Sequence, residues 1–366
     1  MPSAATHLLR IVTGSWLNLL LIAAPLSLWL RWQRGVSIWV FFTAALSLVP
    51  AAGLIGAATE HLARRAGPTL GGFLNATFGN AAELIIAIVA LRAHHTEIVK
   101  ASITGSIIGN LLLVFGLSCF VGGLKNGRQK FNKLSAGSAT VMLYVATVAL
   151  VMPALLALIS FGSLEAHPAV VDKLSFWSSI VLLALYGAGL VFAFRSQSDP
   201  LRADPGHSHG TILGVAPAMT LLAAATAFTA IEAEVLIEAL EPALSGLGMS
   251  ELFAGVIVVA LVGNAAEHYS AVTAASNNEM TLAFEISVGS SAQIALMVAP
   301  ALVLLSFALG SPMSLVFNAF EISAIGLSVI GVTLVASDGE SNWLEGLQLL
   351  GLYGIFAIAF YLIPVK

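Results

Sequence analysis

Charged residues are scarce in this chain of 366 residues. Lys and Arg number 15 and Asp and Glu number 19, together 9% of the chain, whereas a soluble domain carries about 25%. Hydrophobic residues make up 58%, and the mean hydropathy is +0.95. A soluble enzyme, a nucleic-acid-binding domain and a disordered chain are excluded, because none could accommodate so much apolar surface in water. The composition predicts an all-α polytopic membrane protein in a lipid bilayer.

Cysteine and several functional patterns are also lacking. Cys119 is the only cysteine, which excludes a disulfide framework. The apolar runs are continuous rather than alternating, which disfavours a membrane β-barrel. A net charge of −4 does not indicate a polyanionic partner such as a nucleic acid. The sequence has no HExxH motif and no Asp deep in an apolar run, so we expect neither enzyme activity nor a cofactor.

The apolar runs predict about 11 transmembrane helices. Arg10 precedes the first, and Arg31 and Arg34 follow it in place of a small-residue cleavage site, so we interpret it as a retained helix. The predicted spans are 12–30, 36–59, 70–91, 98–121, 137–160, 174–195, 211–231, 251–274, 282–304, 313–335 and 343–363.

A polar linker at residues 196–210 (SQSDPLRADPGHSHG) divides the chain. It separates an N-terminal helix at 1–34 and five helices at 35–195 from five helices at 211–366. The basic cluster between Lys125 and Lys133 favours a cytoplasmic N-terminus and a cytoplasmic linker.

The two groups of five helices contain the same motif. GNAAE begins at Gly79 and again at Gly263, 184 residues later, and the same offset aligns Gly105-Ser106 with Gly289-Ser290. Chance matching of abundant Gly and Ala is the alternative, but it does not account for two consecutive helices. Because each group has an odd number of spans, the second enters the membrane from the opposite side. The pattern predicts two inverted five-helix repeats, as in many secondary transporters.

Acidic residues in the spans lack basic partners. An unpaired carboxylate costs roughly 2.5–3.5 kcal/mol to insert at the centre of a membrane helix, and no Lys or Arg lies deep in a span. These acids must therefore be protonated, face water or bind a cation. The acids in or near spans are Glu60, Glu83, Glu232, Glu234, Glu267, Glu285 and Glu321.

The symmetric pair Glu83 and Glu267 is the strongest candidate site. Each follows an asparagine, Asn80 or Asn264, by three residues, and such residues share a helix face. Inverted symmetry would bring both faces together at the midplane, where carboxylate and amide oxygens would suit a divalent cation, Ca²⁺ above all. The glycines Gly79 and Gly263 would allow close backbone approach. The structural alternative is that both acids are protonated packing residues.

Four other polar residues are weaker candidates for the same metal site. Ser106 and Asn110 share a face of the fourth span, and Ser290 and Gln293 lie in the ninth. Small residues in such positions also serve helix packing, but Asn110 and Gln293 need polar partners in an apolar helix. These residues complete the predicted metal site.

The spacing of the remaining acids in the sequence does not decide their roles. Glu60 ends the second span near Arg64 and is either an interfacial group or a functional one. Glu234 and Glu238 belong to an acidic stripe at the end of the seventh span, which is either a solvated helix end or a cation funnel. Glu232 points away from that stripe by helical geometry. Glu285 and Glu321 have no counterpart in the other repeat, and we interpret them as protonated or water-facing groups.

The doubled GNAAE, with GSIIGN and GSSAQIAL in the helices that follow, resembles the cation/proton exchanger (CAX) branch of the calcium/cation antiporter superfamily. The resemblance covers nearly the whole chain, and the Ser/Thr-Pro-Glu repeats of sodium-driven relatives are missing. It implies that Glu83 and Glu267 are central Ca²⁺ ligands that exchange the ion for protons. It also implies that the Gly and Asn residues of both motifs line the site.

The same resemblance assigns two further acids to the cation route and its gating. These are Glu60, in an A-T-E context, and Glu234, in an A-E-x-L context. The orientation above predicts that Glu60 lies near the cytoplasm and Glu234 near the external face. The linker has only Asp199 and Asp204, unlike the strongly acidic linker often found in the family, which disfavours a Ca²⁺-regulatory role for it.

The function predicted from the sequence is secondary antiport of Ca²⁺ against protons through competition at the carboxylate pair. A passive cation channel, and an antiporter that transports Na⁺ or Mn²⁺, are the alternatives. The short loops suit a multi-pass protein of a bacterial inner membrane. The sequence is compatible with a homo-oligomer.

Overall fold

The computed structural model describes residues 15–163, 168–195 and 213–363. The predicted linker at 196–210 and the beginning of the first predicted span lie outside these residues. A 3₁₀ turn at Trp16–Ile22 precedes the first α-helix. The helices before the linker are α1 (Ala23–Arg34), α2 (Ile38–Phe78), α3 (Ala81–Arg92), α4 (Thr96–Asn126), α5 (Lys133–Phe161) and α6 (Pro168–Arg195).

The part after the linker is also helical, because apolar segments in a bilayer must satisfy their backbone groups internally. Its helices are α7 (Val215–Glu238), α8 (Leu240–Leu247), α9 (Glu251–Gly263), α10 (Ala265–Ser276), α11 (Met280–Ala308), α12 (Ala319–Ala336) and α13 (Trp343–Leu362). Two short strands, β1 (Gln129–Lys130) and β2 (Glu340–Ser341), pair antiparallel and link the loops before α5 and α13.

Eight helices in the described ranges are long and apolar enough to span a membrane, and a bent pair, α8 with α9, adds a ninth if it counts as one span. Each of the eight overlaps one predicted span, which confirms the mostly helical membrane architecture. The total of 11 and the repeat organisation stay predictions. The two predicted spans that contain GNAAE, 70–91 and 251–274, are not continuous helices.

Both GNAAE segments interrupt a helix at their asparagine. The backbone of Asn80 has φ −103° and ψ 26°, and that of Asn264 has φ −88° and ψ 13°. These values leave the helical region, so α2 ends just before α3 begins and α9 ends just before α10 begins. Neither asparagine side chain caps the helix that follows it. Both amide groups are therefore available to neighbouring helices.

The chain also reverses before each interruption. Helices α8 and α9 meet at 114°. Within α2, a Cβ on Gly71 would overlap the carbonyl oxygen of Ala63, although eight residues of straight helix would span about 12 Å. The helix is thus folded back between these residues, near Gly67-Pro68. This reversal separates the predicted spans 36–59 and 70–91.

Small residues bring α4 and α9 into backbone contact. A Cβ on Gly105 would overlap the backbone of Val256, and one on Gly255 would overlap the Ala101 side chain. Helices in membranes use glycine in this way to approach each other closely. The contact places Ser106 of α4 beside Asn264, at the end of α9.

Candidate functional site

Glu83 and Glu267 each lie in the first turn of a helix that starts inside the bundle. Glu83 belongs to α3 and Glu267 to α10. The positive end of the helix dipole favours a negative charge there. A Cβ on Gly263, four residues before Glu267, would lie 3.1 Å from Cγ of Glu83, so the two motifs are in contact. The interruptions at Asn80 and Asn264 thus position two acids together within the protein.

The amide of Asn80 bonds to α11. Its Oδ1 accepts a hydrogen bond of 2.9 Å from the Ser290 hydroxyl, and its Nδ2 donates one of 2.8 Å to Oε1 of Gln293. The first motif is therefore held by the predicted site residues of the other half of the chain.

The amide of Asn264 bonds to α4 in a corresponding way. Its Nδ2 donates to the Ser106 hydroxyl at 2.9 Å and to the Ala260 carbonyl at 2.7 Å. Its Oδ1 accepts from Nδ2 of Asn110 at 3.1 Å, and the same Asn110 nitrogen lies 3.2 Å from the Ser290 hydroxyl. Asn110 thereby connects the two asparagine clusters into one network, and all six of the predicted Ser, Asn and Gln residues take part in it.

Several oxygens at this network have no donor. Glu83 is 6% exposed, and neither of its carboxyl oxygens has a hydrogen-bond partner among the described residues. The same is true of Oε2 of Glu267 and Oδ1 of Asn110. Buried polar atoms in native proteins are nearly always paired. An excess of unpaired oxygens, to which no described Lys or Arg donates, is suited to a hard cation or to protons.

The two motif glycines differ in their contacts. A Cβ on Gly263 would lie 3.1 Å from Cγ of Glu83, so the missing side chain leaves room for that carboxylate. A Cβ on Gly79 would instead meet the Asn75 carbonyl of its own helix at 2.6 Å. Gly263 therefore contacts the site across the two halves, whereas Gly79 contributes its N–H to Asn75 at 2.8 Å.

Wide helical turns surround the network. Hydrogen bonds from i to i+5 occur at Gly109–Val114 in α4, and at Glu285–Gly289 and Ile294–Val298 in α11. Such π-type turns occur frequently at functional sites. The first of them contains Asn110, and the other two flank Ser290 and Gln293.

His268 is a neighbour of the site that the sequence analysis missed. Its Nδ1 donates to the main-chain oxygen of Asn264 at 2.5 Å, which leaves Nε2 as a buried acceptor without a partner in the described structure. Its position in the sequence, directly after Glu267 and four residues after Asn264, could have identified it as a neighbour of the motif. Across the same residues, no group of three or more His, Cys, Asp or Glu side chains is arranged to hold a metal. A cation bound by the described residues would therefore need amide or hydroxyl oxygens as well as those of the two acids.

Glu60 and Glu234 lie away from this network. The Ser47 hydroxyl of α2 is 2.9 Å from a carboxyl oxygen of Glu232 on α7, and Arg65 Nε donates to the Leu213 carbonyl at 2.5 Å. These contacts make α2 and α7 antiparallel. Glu60 is 13 residues beyond Ser47, about 20 Å along the helix, so it and Glu234 lie near opposite ends of the pair. Glu60 forms an ion pair with Arg64, and Glu234 is exposed.

The other acids in spans accept hydrogen bonds from hydroxyl groups. Glu321 accepts from the Thr104 hydroxyl at 3.0 Å and from the Asn318 N–H at 2.9 Å, as the N3 residue of a capping box. Glu285 accepts from the Ser135 hydroxyl at 3.0 Å. Glu232 is 1% exposed and accepts from Ser27 and Ser47. These three acids therefore differ from Glu83, which has no donor.

Comparisons with known proteins cover almost the whole chain. Residues 36–195 and 217–362 match the family described as sodium/calcium exchanger protein. The chain is 41% identical over 364 residues to a Ca²⁺/H⁺ antiporter of Aphanothece halophytica, covering 94% of this chain and 96% of the relative. It is 42% identical over 341 residues to the Ca²⁺/H⁺ antiporter ChaA of Bacillus subtilis, covering 91% and 94%. The structure of native YfkE, 40% identical, superposes with a TM-score of 0.83 over 95% of this chain and 100% of YfkE.

Proposed function

The chain belongs to the sodium/calcium exchanger protein family, and we propose that it is an antiporter that exchanges Ca²⁺ for protons across a membrane. Two relatives that are 41% and 42% identical over more than nine-tenths of the chain are Ca²⁺/H⁺ antiporters. The short loops and the bacterial relatives support a place in a bacterial inner membrane.

The exchange proceeds by competition at one site. With Glu83 and Glu267 ionised, their oxygens bind Ca²⁺, and protonation of both acids neutralises the site and releases the ion. The observation that carries this proposal is Glu83, a buried acid whose two oxygens lack any donor in the described structure. Repulsion between the two carboxylates favours either a divalent cation or protons over an empty ionised site.

The polar network holds additional oxygens for the ion. The hydroxyls of Ser106 and Ser290 and the Gln293 amide engage Asn264 and Asn80, which keeps both amides near the acids of their own motifs. Asn110 Oδ1 has no donor in the described part of the chain. The site therefore has the carboxylate and amide oxygens that Ca²⁺ prefers, without the soft ligands that would favour zinc or copper.

Access to this site alternates between two repeats, 35–195 and 211–366. The interruptions at Asn80 and Asn264, the reversals before them and the antiparallel α2 and α7 all support inverted repeats. Discontinuous helices at the midplane are typical of transporters built in this way. Glu60 and Glu234 attract the cation at opposite ends of the route.

Ca²⁺ uptake into proteoliposomes with an imposed pH gradient tests this function. We expect uptake against the Ca²⁺ gradient only while the proton gradient lasts, and no uptake with the Glu83→Gln variant. Downhill Ca²⁺ flux that is independent of the pH gradient would indicate a channel instead. Exchange that runs with Na⁺ but without protons, or that moves Mn²⁺ and not Ca²⁺, would contradict the assigned ions.

A further inference from the structure

Glu232 forms a second buried carboxylate site, at the junction of three helices. It lies on α7 and is 1% exposed. The Ser27 hydroxyl on α1 lies 2.9 Å and 3.2 Å from its two carboxyl oxygens. The Ser47 hydroxyl on α2 lies 2.9 Å from Oε2. Ser27 and Ser47 are both fully buried, so this acid and its partners are enclosed by α1, α2 and α7.

Each of these hydroxyls has two alternative acceptors. Ser27 Oγ is also 2.8 Å from the Ala24 carbonyl, and Ser47 Oγ is 2.8 Å from the Ala44 carbonyl. A serine hydroxyl has one proton to donate. It therefore donates either to the carboxyl group or to its own helix.

This choice satisfies both protonation states of Glu232 without backbone movement. When Glu232 is ionised, both hydroxyls turn to its oxygens. When it is protonated, its O–H donates to one serine oxygen, and that serine donates to the carbonyl three residues earlier. The carbonyls do not need the serine protons, because helical carbonyls already accept backbone N–H groups. A purely structural acid would need only one of these arrangements.

In the described part of the chain, no nearby charged group holds Glu232 in one protonation state. Its hydrogen bonds and ion pairs in the described ranges are those with Ser27 and Ser47. Arg31, one turn beyond Ser27, forms an ion pair of 2.6 Å with Glu238 instead. Among the described side chains, the titratable or charged groups on α7 and on the helices packed against it, besides Glu232, are Arg31, Glu60, His61, Arg64, Arg65, Glu83, Arg92, Glu234, Glu238 and Glu241.

The site also anchors the N-terminal helix. Ala24 and Ser27 are the only buried residues among the described side chains of α1. The other hydrogen bond or ion pair from the described part of α1 to another helix is the Arg31–Glu238 pair, whose side chains are both more than 40% exposed. Hydrogen bonds to an ionised carboxylate are stronger than those to a neutral carboxyl group. The charge of Glu232 therefore affects how firmly α1 is held against α2 and α7.

We propose that Glu232, with Ser27 and Ser47, is a second proton-binding site, separate from Glu83 and Glu267, and that its ionised form fastens α1 to the α2–α7 pair. Its ligand is the proton alone. The site does not depend on Ca²⁺ binding. A result that contradicts it would therefore leave the function proposed above intact, and the reverse also holds.

Infrared spectroscopy of the full-length protein in lipid tests the proposal directly. In a Glu83→Gln, Glu267→Gln background, the central pair contributes no carboxyl signal. Glu285 and Glu321 also lie in spans and remain in every variant, so the Glu232 signal is the difference between variants. We expect a component of the protonated-carboxyl band that grows as the pH is lowered from 9 to 5, is lost with Glu232→Gln and persists with Glu234→Gln. A pH-dependent band that Glu232→Gln leaves unchanged, or that Glu234→Gln reduces equally, would overturn the proposal.

A serine variant tests the same site if Glu232→Gln fails to fold. Ser47→Ala removes a donor to the ionised form, so we expect the midpoint of the band to move to higher pH by about one unit. The matched control is Ser328→Ala, because that buried hydroxyl donates only within its own helix, to the Ala324 carbonyl at 2.6 Å. An unchanged midpoint in Ser47→Ala, or an equal shift in Ser328→Ala, would contradict the role of Ser47.

Discussion

The segments 79–83 and 263–267 have the same five residues and yet different surroundings. Both interrupt a helix at the asparagine, and both place a glutamate in the first turn of the helix that follows. Glu83, however, is buried with both oxygens unpaired, whereas Glu267 is half-buried with one unpaired buried oxygen. Gly263 packs against Glu83, but Gly79 packs against its own helix.

The difference comes from the residues around the motif. Asn80 bonds to Ser290 and Gln293, and Asn264 bonds to Ser106 and Asn110. The serines correspond at the repeat offset, but Gln293 corresponds to Gly109 and Asn110 to Ile294. A shared motif therefore determines the helix break, while its neighbours determine burial. In a carrier with two access states, we expect such unequal environments to exchange between the halves.

Neutralising either glutamate is expected to have the largest effect despite this difference. Glu83→Gln and Glu267→Gln keep the shape but remove a charge that Ca²⁺ requires, and loss of a buried charged partner costs about 3 kcal/mol or more. Exchange measured in proteoliposomes should fall at least about 100-fold in both variants.

The control for this pair is Glu321→Gln, a buried acid with donors, because glutamine also serves at the N3 position of a capping box. We expect it to retain exchange within a fewfold of wild type. Wild-type exchange in either motif variant would refute the shared site.

An alanine at Gly263 is expected to have an intermediate effect. Its Cβ would lie 3.1 Å from Cγ of Glu83, and overpacking of this kind costs about 1 kcal/mol. Calorimetry should show Ca²⁺ affinity reduced about fivefold. Gly289→Ala is the matched control, since its Cβ would meet no atom within 4 Å. Equal losses in both variants would mean that the Gly263–Glu83 contact is not the cause.

Neutralising Glu60 or Glu234 should have the smallest effect, a rate reduced about twofold to fivefold, because distant charges act by attracting the ion. In a Cys119→Ala background, we expect cysteines at positions 60 and 234 to react with impermeant thiol reagents from opposite sides of the membrane. Labelling from the same side would show that the orientation or the inverted repeat is wrong.

The sequence predicted the membrane architecture, the family and the residues of the central network. It did not predict the helix breaks, because hydrophobic periodicity averages over several residues and is insensitive to one non-helical asparagine. It also gave no special role to Glu232, since its partners Ser27 and Ser47 are more than 180 residues away in the chain. Burial distinguishes it from Glu234, which the family resemblance favoured and which is exposed.

The central claim is that Ca²⁺ and protons compete for the oxygens of Glu83 and Glu267. Calorimetric titration of the purified protein with Ca²⁺ between pH 8 and pH 6 tests it most directly. Because bound protons must leave before the ion binds, we predict that affinity falls at least about tenfold over this range and that Ca²⁺ binding releases protons. An affinity that is independent of pH, with no proton release, would contradict the account.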